Sequence, residues 1–429
     1  MATLEHVHQI PMRVSIEHGE VSYARHSTAI EVRGLPQVFW SDASPWQEAN
    51  AWAAERMSCG AVALSTVESN MRALSDYANF LESKGLTWFT FPIRKADRCL
   101  VQYRGALVDA RTRGAISPST ASQRMRAVIQ FYRWTRARRI LSNAAPLWQD
   151  RTVHIRLFDA TGFERTLTRV TTDLAIQCRT RHGERLEGGL LPISPADREA
   201  ILTFAESHAS IELYLMLAIG FFTGMRLGTI CDLKVATLQH VTPDPTAPGL
   251  CRLAVGPGGV PPVHTKFGVT GQVWIPQSLL TCLLDYATSA RRFSREAKAA
   301  APEKGTLFLT RYGNTYGRSG SDRSSPVNVE MARLRTAGTR TGLRVLRSFR
   351  FHQTRCTFAT ELARMAIAAG GVINAIAIVK DALLHGDEAT AFRYIKFVQK
   401  TPMKAAMADD FTRAFCGIEQ ACKRGASHE

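Results

Sequence analysis

Six side chains of this 429-residue sequence are of types that, brought together, could attack a phosphodiester. Arg226 follows a turn glycine in Thr223-Gly-Met-Arg. Lys266 closes His264-Thr-Lys. His352 and Arg355 stand three apart in His352-Gln-Thr-Arg, a spacing that puts both on one helix face. His385 ends Leu383-Leu-His, and Tyr394 lies nine residues further on. Singly, each has an ordinary explanation: a surface arginine, a lysine on a turn, a polar helix start, a half-buried helix tyrosine. As a set they divide a reaction among themselves. Two guanidiniums could grip the non-bridging oxygens and hold the charge of a pentacoordinate phosphorus. A tyrosine hydroxyl, with a pKa near 10, needs guanidiniums and an imidazole nearby to lose its proton. A lysine could protonate the departing 5′ oxygen. No acidic cluster suited to Mg²⁺ lies near these residues in sequence, so the expected chemistry needs no metal. A phosphotyrosine keeps the bond energy, so no cofactor is expected either.

The elements that must position these groups are mostly helices. Ser44-Pro45 pairs an N-cap with a first-turn proline and opens a helix to Met57. Ser65-Thr66 opens a second, stopped at Gly85. A third covers 95–112, and Ser117-Pro118 opens a fourth to Arg139. In the fourth, Ala121, Met125, Val128, Ile129 and Tyr132 form one apolar stripe. Residues 1–45 alternate loosely and read as an arm with short strands. The stretch 141–193 is turn-rich, with strand-like pieces at 152–157 and 163–170, and reads as a linker. Ser194-Pro195 opens the next domain with helices to Glu206 and over Ile211–Thr223. Strands are expected at 251–255, 263–266 and 272–275, the last two as a hairpin carrying Lys266. Helices follow at 277–292, 326–337, 352–368, 373–384 and 387–397. Met403, Met407, Phe411, Phe415 and Ile418 make an apolar stripe in a helical tail over 401–429.

Composition narrows the partners. Hydrophobic residues are 45 % and charged residues 21 %, a globular balance that excludes wholesale disorder. The N-terminus shows no basic-then-apolar leader, and the apolar runs are short for a span. Nine cysteines, without a Cys-x-x-Cys pair, read as reduced thiols of a cytoplasmic protein. The net charge is +17, unevenly spread. Residues 1–90 carry 6 basic and 10 acidic side chains, 91–140 carry 12 and 2, and 291–360 carry 15 and 4. Two arginine-rich blocks far apart in sequence point to two surfaces on one polyanion. On the fourth helix, Arg124, Arg126, Arg133, Arg136 and Arg138 are the candidate phosphate contacts, although helix-end arginines also answer the helix dipole. A membrane partner is not expected.

The ordered set Arg, Lys, His-x-x-Arg, His, Tyr resembles the tyrosine recombinases, or phage integrases. The matching stretches are Phe222-Thr-Gly-Met-Arg226, Phe351-His-Gln-Thr-Arg-Cys-Thr-Phe-Ala-Thr360, Leu384-His385 and Tyr394, within a resemblance covering about 46–400. It implies a mainly α fold with small β elements. A helical, SAM-like core DNA-binding domain would span 46–140 and a mixed α/β catalytic domain 194–400. It implies that Tyr394 forms a 3′-phosphotyrosine, that Arg226 and Arg355 clamp the phosphate, and that Lys266 is the general acid. His352 would handle protons and His385 would position the phosphate. The implied partner is double-stranded DNA, bound by a homo-tetramer across two sites, with accessory recombination proteins as further partners and a cytoplasmic, nucleoid-associated location. The tail would dock in cis or on the next protomer. The biological role would be integration, excision or transposition of a mobile element. The competing expectations are a type IB topoisomerase-like relaxing enzyme and a non-catalytic DNA-binding accessory protein.

The sequence also departs from the family's pattern. The acidic residue that often follows the first arginine is missing, since Gly228 and Thr229 stand there, and Asp232 is the nearest substitute. Thr354 replaces a common leucine, Cys356 a common histidine and Leu384 a common glycine. The arm 1–45 carries Arg13, Arg25 and Arg33 against five acidic residues, which favours a structural or protein-contact role over DNA binding.

Overall fold

The computed structural model describes residues 1–25, 31–60, 62–158, 164–178, 186–317, 324–386 and 388–402. The tail stripe from Met403 onward lies outside the described residues. The chain divides into two compact units, Met1–His182 and Gly183–Glu429. Both are helical with small antiparallel sheets, so the fold is mainly α with small β elements.

The first unit begins with β1 (Thr3–Gln9), β2 (Met12–Glu17), β3 (Glu20–Arg25) and β4 (Val32–Phe39). β1 pairs with β4 and β2 with β3, as separate ribbons. Four helices follow: α1 (Gln47–Ser58), α2 (Leu64–Lys84), α3 (Cys99–Thr112) and α4 (Pro118–Ala137). The β5 (Asp150–Phe158) and β6 (Glu164–Thr172) hairpin closes the unit. Its core is aromatic: Trp46, Tyr77, Tyr103, Phe131 and Tyr132 are almost fully buried. The Tyr77 and Tyr132 hydroxyls hydrogen-bond at 2.8 Å, so their polar ends are satisfied inside the apolar centre. All five stripe residues of α4 face this core. Ser117 caps α4 by accepting from the Thr120 N–H at 3.1 Å, with Pro118 in the first turn.

The arm is part of this core. Leu35 and Val38 of β4 are completely buried with Trp46. The Asn50 side chain accepts from Val38 N at 2.7 Å and donates to its carbonyl at 3.0 Å, tying β4 to α1. That docking moves the start of α1. The N-cap is Trp46, held by burial, and the expected Ser44 cap instead bonds Asp42.

The second unit holds α5 (Pro195–His208), α6 (Ile211–Thr223), α7 (Leu227–Cys231) and α8 (Val235–Gln239). A sheet follows, with β7 (Thr242–Pro243), β8 (Leu250–Val255) and β9 (Gly271–Pro276). Then come α9 (Gln277–Ala287), α10 (Ala290–Glu296), α11 (Ser325–Arg340) and α12 (Gln353–Ala382). A last helix, α13, covers residues 388–402. α6 is apolar on nearly every face and is buried as the hub, with α12 packed against it. The two helices approach closely where Gly220 faces Thr354, a residue too small to hold them apart. α12 breaks at Gly371 (φ 75°, ψ 177°), which divides its long apolar run.

The hairpin expected to carry Lys266 is not formed. β9 pairs with β8 along its whole length, in the sheet order β7-β8-β9. The alternation of Leu250–Val255 buries Cys251, Leu253 and Val255 and takes up that edge. Val263 makes only an isolated bridge to Gly256, and Lys266 sits in a single 3₁₀ turn, Lys266–Gly268.

Candidate active site

Arg226 is placed by the end of α6. Gly224 takes φ 66° there, a left-handed cap that favours glycine, and Arg226 then serves as N-cap of α7. Arg355 lies in the first turn of α12 and is 2 % exposed. Its Nη1 donates to the Gly224 carbonyl at 2.7 Å and its Nη2 to the Leu383 carbonyl at 2.9 Å, so the fork is fixed at both ends. His385 follows the turn after α12 and is 7 % exposed. Tyr394, on α13, is fully buried among Cys356, Ala359 and Leu383. The His385 and Tyr394 rings lie nearly parallel, with centroids 6.2 Å apart.

These four groups meet on one carboxylate, Glu187. Arg226 Nη2 donates to Oε1 at 2.8 Å. Arg355 Nε donates to Oε2 at 3.1 Å, and Tyr394 Oη donates to the same oxygen at 3.4 Å. His385 Nε2 is 3.5 Å from Oε2. Sequence reasoning missed Glu187. It stands in the turn-rich stretch before α5, 168 residues from Arg355 and 207 from Tyr394, and no motif marks it. The one hint was the missing acidic residue after Arg226. Asp232 does not fill that place: Oδ1 accepts from Lys234 Nζ and Oδ2 from the His264 N–H, both at 2.7 Å.

The electrostatics follow from this packing. Burial pushes the Glu187 carboxyl up, but His385, Arg355 and Arg226 outweigh it and hold the group well below the ordinary carboxylate range. Burial lowers the Arg355 and His385 values, and the neighbouring cationic charge adds to that. The Tyr394 phenol is raised, first by burial and then by Cys356 and Glu187, so it holds its proton here. Cys356 lies beneath the tyrosine, with burial pushing its thiol up to about 11.

The other sequence candidates stand as follows. His352 is the half-buried N-cap of α12, one turn before Arg355. Lys266 lines the same small cavity, about 20 Å³, as Arg226 and Arg355. Its Nζ lies 5.4 Å from the ring centre of Phe267, a side chain 86 % exposed.

The arginines of α4 divide into two groups. Arg124 pairs with Asp76 and Arg138 with Glu55, each at 2.6 Å. Arg136 donates to the Ala145 carbonyl and lies over Trp148. Arg126 is exposed, and the exposed Arg133 has a long 3.5 Å contact to Asp150 and also lies over Trp148. The second basic block divides in the same way. Arg291 and Arg295 neutralise the buried Glu212, and Arg292 pairs with Glu296. Arg333, Arg340, Arg344, Arg347 and Arg350, on and after α11, are exposed.

The chain matches no protein-family model and no curated protein. Among solved structures it is similar to a fragment of the Tn1549 transposon integrase in complex with transposon right end DNA. That match has 14 % identity and a TM-score of 0.48, and covers 84 % of this chain and 98 % of the other. It is similar to a lambda integrase dimer bound to a core site, at 14 % identity and TM-score 0.45, covering 81 % and 94 %. A lambda integrase tetramer bound to a Holliday junction matches at 12 % identity and TM-score 0.45, covering 81 % and 75 %. These are likenesses of chain trace only.

Proposed function

We propose that this protein is a site-specific DNA recombinase of the tyrosine recombinase type, which cleaves and rejoins DNA through a 3′-phosphotyrosine. The observation that carries the reading is the convergence of Arg226, Arg355, His385 and Tyr394 on a single anion. A scissile phosphate in that place would lie between two guanidiniums, within reach of an imidazole and beside a tyrosine hydroxyl. Arg226 and Arg355 would hold its non-bridging oxygens, and the charge gained at phosphorus would fall on donors already fixed. Tyr394 Oη would form the new P–O bond while the 5′ oxygen leaves. His352 is the proposed proton-handling group and His385 the positioning group. Lys266, on the rim of the same cavity, is the proposed donor to the leaving oxygen. The reverse step restores the phosphodiester, and two duplexes exchange ends if protomers pair across two sites, as a homo-tetramer would allow. Double-stranded DNA is the proposed partner, met by the exposed arginines of α4 and α11, in the cytoplasm at the nucleoid. Integration, excision or transposition of a mobile element is the proposed setting.

The test is the covalent joint itself. Cells expressing the wild-type chain should yield protein–DNA adducts joined through Tyr394 to a 3′ phosphate, and Tyr394→Phe should yield none. Adducts that persist in Tyr394→Phe would refute the nucleophile. Adducts without strand exchange between two marked copies of the mapped site would favour a topoisomerase-like reaction.

A further inference from the structure

We propose that Glu187 is an internal competitor for the scissile phosphate: its carboxylate occupies the phosphate's seat and must withdraw before DNA can react. The inference deepens the recombinase reading and rests on it. Phosphoryl transfer needs the clamp and the nucleophile to converge on the phosphate, and here they converge on Glu187. A carboxylate and a phosphate both present anionic oxygens to guanidinium N–H groups, so the two anions compete for Arg226 Nη2 and Arg355 Nε.

Two further observations separate a competitor from a permanent orienting group. First, the carboxylate leaves donors over. Arg226 Nε and His385 Nδ1 are buried without hydrogen-bond partners among the described residues, and His385 Nε2 has only its 3.5 Å contact to Oε2. Glu187 engages one N–H of each guanidinium and leaves Arg226 Nε over, whereas a phosphodiester adds two bridging oxygens to its two charged non-bridging ones. A buried donor without an acceptor costs free energy, so the site is better satisfied by the larger anion. Second, Glu187 is presented by a built support. Leu186 is buried in the cluster that holds Tyr394 and Cys356. The turn closes through the Gly189 N–H to the Leu186 carbonyl, with Gly189 at φ 75°. Beyond it, Gln353 Nε2 donates to the Leu191 carbonyl and the Ile193 N–H donates to Thr357 Oγ1, laying the strap along α12. Glu187 enters from this strap, while Arg226, Arg355 and Tyr394 stand on α7, α12 and α13. Apart from the contacts of the carboxylate itself, the strap is held by the buried Leu186, the partly buried Leu190 and Ile193 and a few hydrogen bonds, so it can release while the helices stay in place.

The experiment uses the full chain with inorganic phosphate as probe. Phosphate affinity is read from the rise of the melting temperature with phosphate concentration. Glu187→Gln should bind phosphate at least about tenfold more tightly than wild type, because the competing state no longer occupies the site. Glu187→Asp keeps the charge but shortens the reach, and should fall between the two; it serves if Glu187→Gln folds poorly. A second readout uses thymidine 3′-(p-nitrophenyl phosphate). Tyr394 Oη would form the P–O bond, p-nitrophenolate would leave and the tyrosine proton would pass to solvent. The burst should be faster in Glu187→Gln than in wild type and absent in Tyr394→Phe. If neither Glu187 variant binds phosphate more tightly than wild type, the competitor is overturned and Glu187 is an orienting group. If phosphate binding tightens but no form gives a burst, Glu187 competes with a phosphate group at this site, and the recombinase reading falls with the scissile phosphate as its ligand.

Discussion

Replacing Gly224 by alanine should damage the second unit through two separable effects. Gly224 takes φ 66°, and its added Cβ would collide with Cδ1 of the Phe358 ring and stand 2.7 Å from Leu383 Cδ2. The left-handed backbone costs a non-glycine residue about 1–2 kcal/mol. Overpacking a filled core adds about 1–3 kcal/mol, giving a loss of about 2–5 kcal/mol. In a unit of this size, each kcal/mol lowers the melting temperature by about 2–4 °C. Gly342→Ala is the control, because Gly342 has φ 83° and nothing within 4 Å of an added Cβ. It should lose only the backbone share, about 1–2 kcal/mol. The difference between the two melts, read by calorimetry on the full chain, isolates the packing cost. Gly224→Ala should also weaken the clamp, since the Gly224 carbonyl holds Arg355 Nη1. Its loss of adduct formation should therefore exceed that of Gly342→Ala below both melts. If the two variants melt together, the close packing of Gly224 against Phe358 and Leu383 is wrong.

Glu212→Gln should lower the urea midpoint by the equivalent of about 3–5 kcal/mol, because it leaves the poorly exposed Arg295 without its counter-charge; a change under about 1 kcal/mol would show that the pairing is dispensable. The depressed Glu187 carboxyl contributes stability that is complete above its ordinary value near 4.5 and is lost as pH falls below it. The acid limb of wild-type stability should therefore be steeper than that of Glu187→Gln in melts from pH 6 to pH 3, and parallel limbs would contradict the ion pairing. Neutralising Arg126 and Arg133 together should flatten the log–log salt dependence of DNA binding by about 2. Neutralising Arg124 and Arg138, already paired with Asp76 and Glu55, should change it less. Equal slopes for the two double variants would move the DNA face elsewhere.

What the sequence made legible was local in origin. Ser117-Pro118 and Ser194-Pro195 cap their helices as read, since a hydroxyl and a fixed φ act within one turn. The α4 stripe is buried as read because a 3.6-residue period has one apolar face to hide. Misreadings came where tertiary contacts overrode local signals. Ser44 lost its capping role to Trp46, whose burial is worth more than one capping bond. Val263–Lys266 looked like a strand, but β8 presents a longer alternating edge to β9. The 291–360 charge block looked like one surface. Part of it is internal: Arg292 and Arg295 are buried, and Arg295 pairs with the buried Glu212.

The departures from the tyrosine recombinase pattern that the sequence resembles are answered by partners distant in sequence. Leu384 takes φ 50°, a conformation that suits the common glycine, and its side chain lies on Gly271 of β9, where an added Cβ would collide with it. The backbone strain of one residue is thus offset by packing made possible by a second glycine. Thr354 meets Gly220 in the same manner, a small residue answered by a smaller one. The acidic residue missing after Arg226 is the third case, and its replacement is of a different kind. Glu187 comes from the strap before α5 and meets Arg226 and the Tyr394 hydroxyl. Leu384 and Thr354 are answered within the packed body of the unit, so their compensation is permanent. If Glu187 holds the seat of a scissile phosphate as proposed, a carboxylate delivered by this strap would compensate only while DNA is absent, making charge balance at rest and access during reaction alternatives of one element.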